Sequence, residues 1–365
     1  MANPTRSIVH YLLDRGFLTF ESVVDGDLKV LERPTRYRNY LVHRQNHPGY
    51  FVKKLQDTQR ENFAVLQKEA NCYQLAQPNG ILASLAPLMP KFYGFDPMRG
   101  ILIMELIDGS EDLGIYHRRI GKFPLEVAEQ LGRALATYHR AGSLAFRDPN
   151  QQSVFPKQIP WILSIYQNNL QFVPQGGSSI QIQTILQRYP DFPQKVEALR
   201  SQWQPDTLIH GDMKWENCLV SPSQNGTSEL ELKVVDWELA DIGDGYWDVA
   251  GVFQAYFNFW ILSMPATSQT PPEQLVAQAP YPLETLQPAM QAFWKTYVEN
   301  LPVTQGQVEQ LRERSMMYAA VRTLQTVFEY MVHATQLTAN AIYMLQLSLN
   351  ILQNPKEMVP ILLGN

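Results

Sequence analysis

The hydrophobic and polar positions of residues 28–55 read as three strands. These are Leu28–Glu32, Asn39–Arg44 and Tyr50–Leu55. The turn residues Asn46, Pro48 and Gly49 lie within Gln45–Gly49, so the last two strands are expected to form a hairpin. Ser7–Asp14 before them suits a short helix. Gln59–Ala76 places apolar residues at Phe63, Leu66, Ala70, Tyr73, Leu75 and Ala76, a helical stripe. Gly100–Leu106 is a strongly apolar run suited to a buried strand, and Asp108–Gly109 is a break after it. That break is a natural hinge between a small sheet-rich lobe, residues 1–106, and a larger lobe, residues 107–365.

Beyond residue 124 the pattern is mainly helical. Leu125–Gly142 keeps a clear helical period. Pro156–Gln204 is expected to hold two helices, with breaks around Gly176–Ser179 and Pro190–Pro193. Two short strands follow, Asn217–Val220 and Leu230–Val235, joined by the polar Ser221–Ser228. Helices are expected from Asp248 to the end, interrupted by a surface loop at Ala266–Leu283, which is rich in Pro, Gln and Thr. The most apolar long stretch, Val249–Met264, includes Gln254 and Asn258 and is short for a membrane span, so it reads as a buried helix.

Composition narrows the class of protein. With 365 residues and 45% hydrophobic content, the chain can bury a sizeable core. A net charge of −5 argues against a general nucleic-acid binder. Two cysteines, Cys72 and Cys218, without a CxxC spacing argue against a disulfide framework and fit a reducing cytoplasm. The opening Met-Ala-Asn-Pro-Thr-Arg has no signal-peptide pattern. Cytoplasmic location, with neither membrane nor nucleic acid as a partner, is therefore the expectation.

The chemistry concentrates in two segments. Residues 208–219 read Leu-Ile-His-Gly-Asp-Met-Lys-Trp-Glu-Asn-Cys-Leu, an H-x-D-x-x-x-x-N loop, and residues 232–238 read Leu-Lys-Val-Val-Asp-Trp-Glu. In phosphoryl transfer an aspartate orients and deprotonates a hydroxyl, while an asparagine and a second aspartate hold Mg²⁺ on nucleotide phosphates. Asp212 is the candidate base. His210 is expected to support the loop, and Lys214 is close enough in sequence to reach a transferring phosphate. Asn217 and Asp236 are the candidate metal ligands. Glu238 is either a second metal-binding carboxylate or a salt-bridged structural residue. A carboxylate ending a buried strand, as Asp236 does, needs a partner such as Mg²⁺. Lys53 and Lys54 close the third strand, and alternation turns only one of them inward, where Glu69 on the next helix can pair with it.

Taken together, these segments resemble the aminoglycoside phosphotransferase and choline kinase-like family, which shares the protein kinase-like fold. The likeness rests on Tyr50-Phe-Val-Lys-Lys-Leu, Lys68-Glu69-Ala, Ile103-Met-Glu-Leu and Leu131-Gly-Arg-Ala-Leu-Ala-Thr-Tyr-His139. It continues through His210–Leu219, Val234-Val-Asp-Trp-Glu238 and Gly243-Asp-Gly-Tyr-Trp-Asp248. It spans roughly residues 28–255. The resemblance implies an α+β, two-lobed fold with a small antiparallel-sheet N-lobe and a large helical C-lobe. It selects Lys53 over Lys54 as the nucleotide lysine and gives the backbone of Glu105–Ile107 the adenine. Asp248 becomes a brace for the catalytic loop. Asp-Trp-Glu stands where protein kinases usually carry Asp-Phe-Gly, which favours a small-molecule kinase. One departure is plain: residues 32–40, Glu-Arg-Pro-Thr-Arg-Tyr-Arg-Asn-Tyr, contain no glycine where a glycine-rich phosphate loop is expected.

The function implied is transfer of the terminal phosphate of ATP, or GTP, to a hydroxyl of a small molecule, with Mg²⁺. A peptide or protein kinase is the nearest alternative, but no Ala-Pro-Glu element follows Asp236, and Gly243–Asp248 passes directly into a helix. A nucleotide-binding pseudokinase is disfavoured by the intact set Lys53, Glu69, Asp212, Asn217 and Asp236. A zinc hydrolase is disfavoured by the absence of HxxH or HExxH spacing. The aromatic run Tyr246–Trp260 suits either core packing or a cage for a cationic acceptor.

Overall fold

A computed structural model describes residues 4–45, 47–56, 60–148, 154–167, 177–223, 230–265 and 272–364. The elements begin with α1 (Pro4–Asp14), α2 (Phe20–Val24), β1 (Leu28–Pro34), β2 (Tyr37–Arg44), β3 (Gly49–Leu55) and α3 (Arg60–Leu75). Next come β4 (Phe92–Asp96), β5 (Ile101–Leu106), β6 (Glu111–Asp112), α4 (Leu113–Ile120) and α5 (Leu125–Ala145). Then follow α6 (Gly177–Leu186), α7 (Phe192–Ser201), β7 (Thr207–Ile209), β8 (Cys218–Pro222), β9 (Leu230–Val234) and β10 (Asp241–Gly243). The remainder is α8 (Tyr246–Ser263), α9 (Pro272–Ala277), α10 (Leu283–Glu299), α11 (Gln305–Tyr330), α12 (Ala339–Gln353) and α13 (Pro355–Leu363).

The chain divides into two compact units, residues 1–112 with 218–240 and residues 113–217 with 241–365. The expected cut at 106/107 is linear in sequence, whereas these units are not. The β8–β9 hairpin joins the first unit because β8 pairs with β6, Glu111 opposite Val220 and Asp112 opposite Leu219.

Among the described residues the first unit holds a five-stranded antiparallel sheet in the order β1-β2-β3-β5-β4. Period-two alternation gives this sheet two chemically different faces. On one face Tyr40, Val42, Tyr50, Val52, Ile101 and Ile103 pack against Ile8, Tyr11, Leu12 and Leu18 of the N-terminal segment. On the other face Asn39 lies opposite Lys53, and Lys53 opposite Leu102. The strand that the sequence pattern does not disclose is β4. It carries a register shift between Phe92 and Gly94 and is only half-buried along most of its length, so no alternation marks it.

The second unit is helical around a short β7–β10 pair. Helix α5 is the central element: its buried stripe runs from Val127 through Leu131, Leu135 and Tyr138 to Gly142. It packs on α10 and on β7. Helix α8 is buried over most of its length, as expected for Val249–Met264, and packs against α11. No helix among the described residues is long and apolar enough to cross a membrane. Trp247, Phe253, Tyr256 and Phe257 lie in the core, which settles those four positions as packing rather than a cage. The two helices expected within Pro156–Gln204 are α6 and α7. The expected loop at Ala266–Leu283 lies partly outside the described residues, and its described part includes α9. Residues 224–228 of the Ser221–Ser228 connection also lie outside them.

The α5–β7 packing gives a stability test. A Cβ at Gly142 would stand 2.6 Å from Leu208 Cβ and 2.9 Å from Thr207 Oγ1. Gly142→Ala would gain about 1 kcal/mol of helix propensity on an exposed helix. Here overpacking should outweigh that gain, with a cost of about 1–3 kcal/mol. Urea denaturation should therefore show a lower midpoint for Gly142→Ala than for the wild type.

Candidate active site

In the first unit the strand register decides which lysine turns inward. Lys53 shares its face with Tyr37 and Asn39, whereas Lys54 shares the opposite face with Val52. Lys53 is 5% exposed, and its ammonium donates to both carboxylate oxygens of Glu69 at 2.8 Å. Glu69 is fully buried on α3. The same ammonium donates to Asp236, the residue that follows β9 by two positions. Burial opposes the charge on Lys53, but the Glu69 and Asp236 carboxylates outweigh it and hold the ammonium above its ordinary pKa. Lys54 is shifted the other way, by burial and the nearby Arg38 and Arg99 charges.

Asp236 adopts a left-handed backbone, φ 67° and ψ 52°, and caps a short 3₁₀ turn, Trp237–Leu239. Aspartate is among the few non-glycine residues that visit this region readily. Trp237 anchors the turn: its side chain is fully buried and its indole N–H donates to Val234 O at 3.0 Å. The turn brings Glu238 near Asp236, and one carboxylate oxygen from each of Glu69, Asp236 and Glu238 falls within 4.8 Å of the others. Glu238 accepts from Arg36 at 2.5 Å. Oxygen donors of this kind suit a hard cation such as Mg²⁺, and the cluster contains no His or Cys. At the edge of the sheet, Glu105 N donates to Lys91 O at 2.8 Å, and Ile107 O accepts from Ser110 Oγ at 2.7 Å.

In the second unit the H-x-D loop hangs on Asp248. This fully buried carboxylate, in the first turn of α8, accepts from His210 N at 2.5 Å, Gly211 N at 3.1 Å and Tyr138 Oη at 2.8 Å. Burial pushes its pKa up, but the His139 hydrogen bond and the His139 and His210 charges prevail and hold it below the ordinary aspartate value. Gly211 has φ +80°, a left-handed conformation that few side chains tolerate, and Asp212 follows it. His210 Nδ1 accepts from Asp212 N at 3.3 Å. Asn217 donates to Asp212 O at 2.8 Å and to Asp212 Oδ2 at 3.2 Å, while Lys214 reaches Asp212 Oδ2 at 2.6 Å. Asp212, Lys214 and Asn217 thus form one constellation within their unit. Asn217 belongs to a different unit from Asp236 and Glu238.

Motif reading missed Arg322. It lies on α11, 110 residues after Asp212, where no local pattern marks it. Its guanidinium is buried and donates to Met213 O at 2.9 Å, to Gly211 O at 3.4 Å and to Gln254 Oε1 at 3.0 Å. It also stands 4.8 Å from the Trp247 ring centre. Burial lowers its pKa, while the Asp212 and Asp248 charges favour the charged form. The residues on either side of Asp212 are therefore tied to α11 through their carbonyls.

A small antiparallel sheet with one helix carrying the lysine's partner, and a helical unit carrying an H-x-D loop, together make the protein kinase-like fold. A family model described as "Phosphotransferase enzyme family", APH, matches residues 27–279, so the chain belongs to that family. No curated protein sequence matches it. Among solved structures it is similar to a choline kinase from Cryptosporidium parvum Iowa II, with a TM-score of 0.57 and 12% identity over 98% of each chain. It is also similar to a choline/ethanolamine kinase family protein from Mesorhizobium loti, with a TM-score of 0.51 and 15% identity, covering 96% of this chain and 98% of that one. The streptomycin–ATP–APH(2")-IIa ternary complex gives a TM-score of 0.52 and 14% identity over 99% of each chain.

Two stability tests follow from these networks. Lys53→Met leaves Glu69 buried without its cation and should cost about 3–5 kcal/mol. Lys54→Met should stay within about 0.5 kcal/mol. The double change Lys53→Met, Glu69→Met should recover much of the loss, because it removes both buried charges; chemical denaturation of the four proteins measures this. Arg322→Met removes the guanidinium donors to Met213 O and Gln254 Oε1, and one of two donors to Gly211 O, the other being the Trp247 indole N–H at 3.2 Å. It should cost about 2–3 kcal/mol, and exchange of the backbone amides of residues 210–213 should speed up in hydrogen–deuterium measurements.

Proposed function

We propose that the chain transfers the terminal phosphate of ATP, or of GTP, to a hydroxyl group of a small molecule. The observation that carries this reading is the Lys53 ammonium, buried and held at once by Glu69 from α3 and by Asp236 after β9. A buried ammonium gripped by two carboxylates is pre-organised to meet phosphate oxygens. The second unit supplies the acceptor chemistry. Asp212 orients the hydroxyl and takes its proton, and Lys214 beside it supplies positive charge to the moving phosphate.

The carboxylates of Asp236 and Glu238 have the donor chemistry to hold Mg²⁺. Asn217 commits its amide nitrogen to Asp212, so its amide oxygen is the atom proposed for the metal. When bound, the ion supplies positive charge that neutralises the phosphates. Glu69 is assigned to Lys53 instead. The backbone of Glu105–Ile107 is assigned to the nucleotide base; Glu105 N already serves the sheet, so its carbonyl and the Ile107 amide are the groups proposed for it. With a choline kinase and a streptomycin complex among the similar structures, a small hydroxylated cation is the acceptor proposed. A cytoplasmic enzyme acting on neither nucleic acid nor membrane is the remaining part of the reading.

A transfer screen over hydroxylated amines, sugars and aminoglycosides, read as ADP or GDP release, tests the proposal. Asp212→Asn should lower turnover on the acceptor so found by about 10²–10⁴-fold while nucleotide affinity stays near that of the wild type. Asp236→Ala should remove the Mg²⁺-dependent part of nucleotide affinity in calorimetry. Near wild-type turnover in Asp212→Asn would remove the base from the mechanism.

A further inference from the structure

The β1–β2 turn occupies the place where a glycine-rich loop would cradle phosphates with backbone amides. Here the amides of Thr35 and Tyr37 are taken. Pro34 has no N–H. Thr35 N donates to Tyr37 O at 2.8 Å, and Tyr37 N donates to Thr35 Oγ1 at 3.3 Å. Asn39 Nδ2 donates to the same Thr35 hydroxyl at 3.1 Å, and Gln56 Nε2 holds Thr35 O at 2.7 Å. The turn is thus braced through Thr35, with the Thr35 and Tyr37 amides bonded within it.

Its side chains face the carboxylate cluster. Arg36 donates to Glu238 at 2.5 Å, with nearly half of its side chain exposed. Its guanidinium carbon lies 5.2 Å from the Tyr37 ring centre, and Lys53 Nζ lies 5.7 Å from the same ring. Tyr37 is 3% exposed, and its hydroxyl is buried without a hydrogen-bond partner. Burial and the Glu238 charge raise its pKa, so the O–H stays protonated and can donate. An unpaired buried hydroxyl is costly in a folded protein and calls for an explanation. Around it stand three carboxylates, Glu69, Asp236 and Glu238, against two cations, Lys53 and Arg36.

We propose that Arg36 and Tyr37 grip the nucleotide phosphates by side chain, replacing the amide cradle that this turn has committed elsewhere. The inference rests on the phosphotransferase reading of the same cluster and adds the residues that bind the phosphates. In the free protein Arg36 neutralises Glu238. With nucleotide bound, the Glu238 carboxylate would be available to help hold the metal, and the Arg36 guanidinium would pair with a phosphate oxygen, for which its planar fork is suited. The Tyr37 hydroxyl then gains the acceptor it lacks. No covalent bond forms or breaks in this step.

Calorimetry with ATP, ADP and adenosine, each with and without Mg²⁺, tests this on the whole chain. Arg36→Ala should weaken Mg²⁺–ATP binding about 10–100-fold, as expected for loss of a charge-assisted contact, and leave adenosine binding unchanged. Arg36→Lys should recover only part of the loss. Tyr37→Phe carries the sharper sign. It should raise the melting temperature of the free protein, because an orphan hydroxyl is removed, and weaken Mg²⁺–ATP binding about tenfold. A merely structural tyrosine would not move the two in opposite senses. Glu238→Gln should raise ATP affinity in the absence of Mg²⁺ by releasing Arg36. Wild-type ATP affinity in both Arg36→Ala and Tyr37→Phe, in a protein that still transfers phosphate, would overturn this inference alone. Failure of the wild type to bind any nucleotide would overturn the phosphotransferase reading and this inference with it.

Discussion

A buried carboxylate must find partners, and each unit of this protein is organised around one. Leaving such a charge unpaired away from water costs several kcal/mol, a sizeable part of a domain's stability. Glu69 is fully buried on α3 and has the Lys53 ammonium on both its oxygens. That demand fixes α3 against β3 and calls in Asp236 from the other end of the unit's sequence. Asp248 is fully buried on α8 and takes two consecutive loop amides and a tyrosine hydroxyl. That demand fixes the loop preceding Asp212. Left-handed backbone occurs beside these residues, at Asp236 and at Gly211, as it also does at Lys157.

Charge also explains why the two groups of polar residues differ in exposure. Lys53 is enclosed, whereas the Asp212–Lys214 pair is open to solvent over a substantial part of both side chains. An enclosed ammonium holds a fixed geometry and loses little to screening by salt. A half-exposed aspartate stays accessible to an incoming hydroxyl, and its own pairing with lysine is correspondingly weak. The rigidity of the loop must then come from its backbone. Asp248 takes the amides, and Arg322 takes the carbonyls of Gly211 and Met213. Donors and acceptors of the loop are held from opposite chemical sides, by an acid and a base contributed by two helices that pack on one another, α8 and α11.

The turn without glycine illustrates a further constraint. A phosphate-binding loop needs free donors, and a turn closed by its own hydrogen bonds has few to offer on its backbone. Thr35 closes this turn, and its side chains offer the Arg36 guanidinium and the Tyr37 hydroxyl as donors. The missing glycines and the side-chain donors are therefore one feature seen twice. Glycine would serve close approach of backbone to phosphate, and this backbone is not used that way.

Much of this protein is legible in its residues alone. Alternation placed β1, β2 and β3, a helical stripe placed α3 and α5, and strongly apolar runs placed β5 and the buried α8, because burial leaves its pattern on the sequence. The H-x-D loop and Asp236 were readable because local backbone geometry ties them to short spacings, and the family resemblance picked Lys53 as the partner of Glu69. Other features have no such local cause. Strand β4 is bulged and half-buried, so it carries no period. The β7–β10 pair is too short to show one. Which of Lys53 and Lys54 meets Glu69 depends on which strand face α3 covers, and alternation alone leaves that choice open. Glu238 had two readings, and its partner Arg36 lies 202 residues away in sequence. Arg322 reaches the loop from more than a hundred residues downstream. Periodicity records which face of an element is buried. It does not record which distant element buries it, and only tertiary packing decides which charges meet.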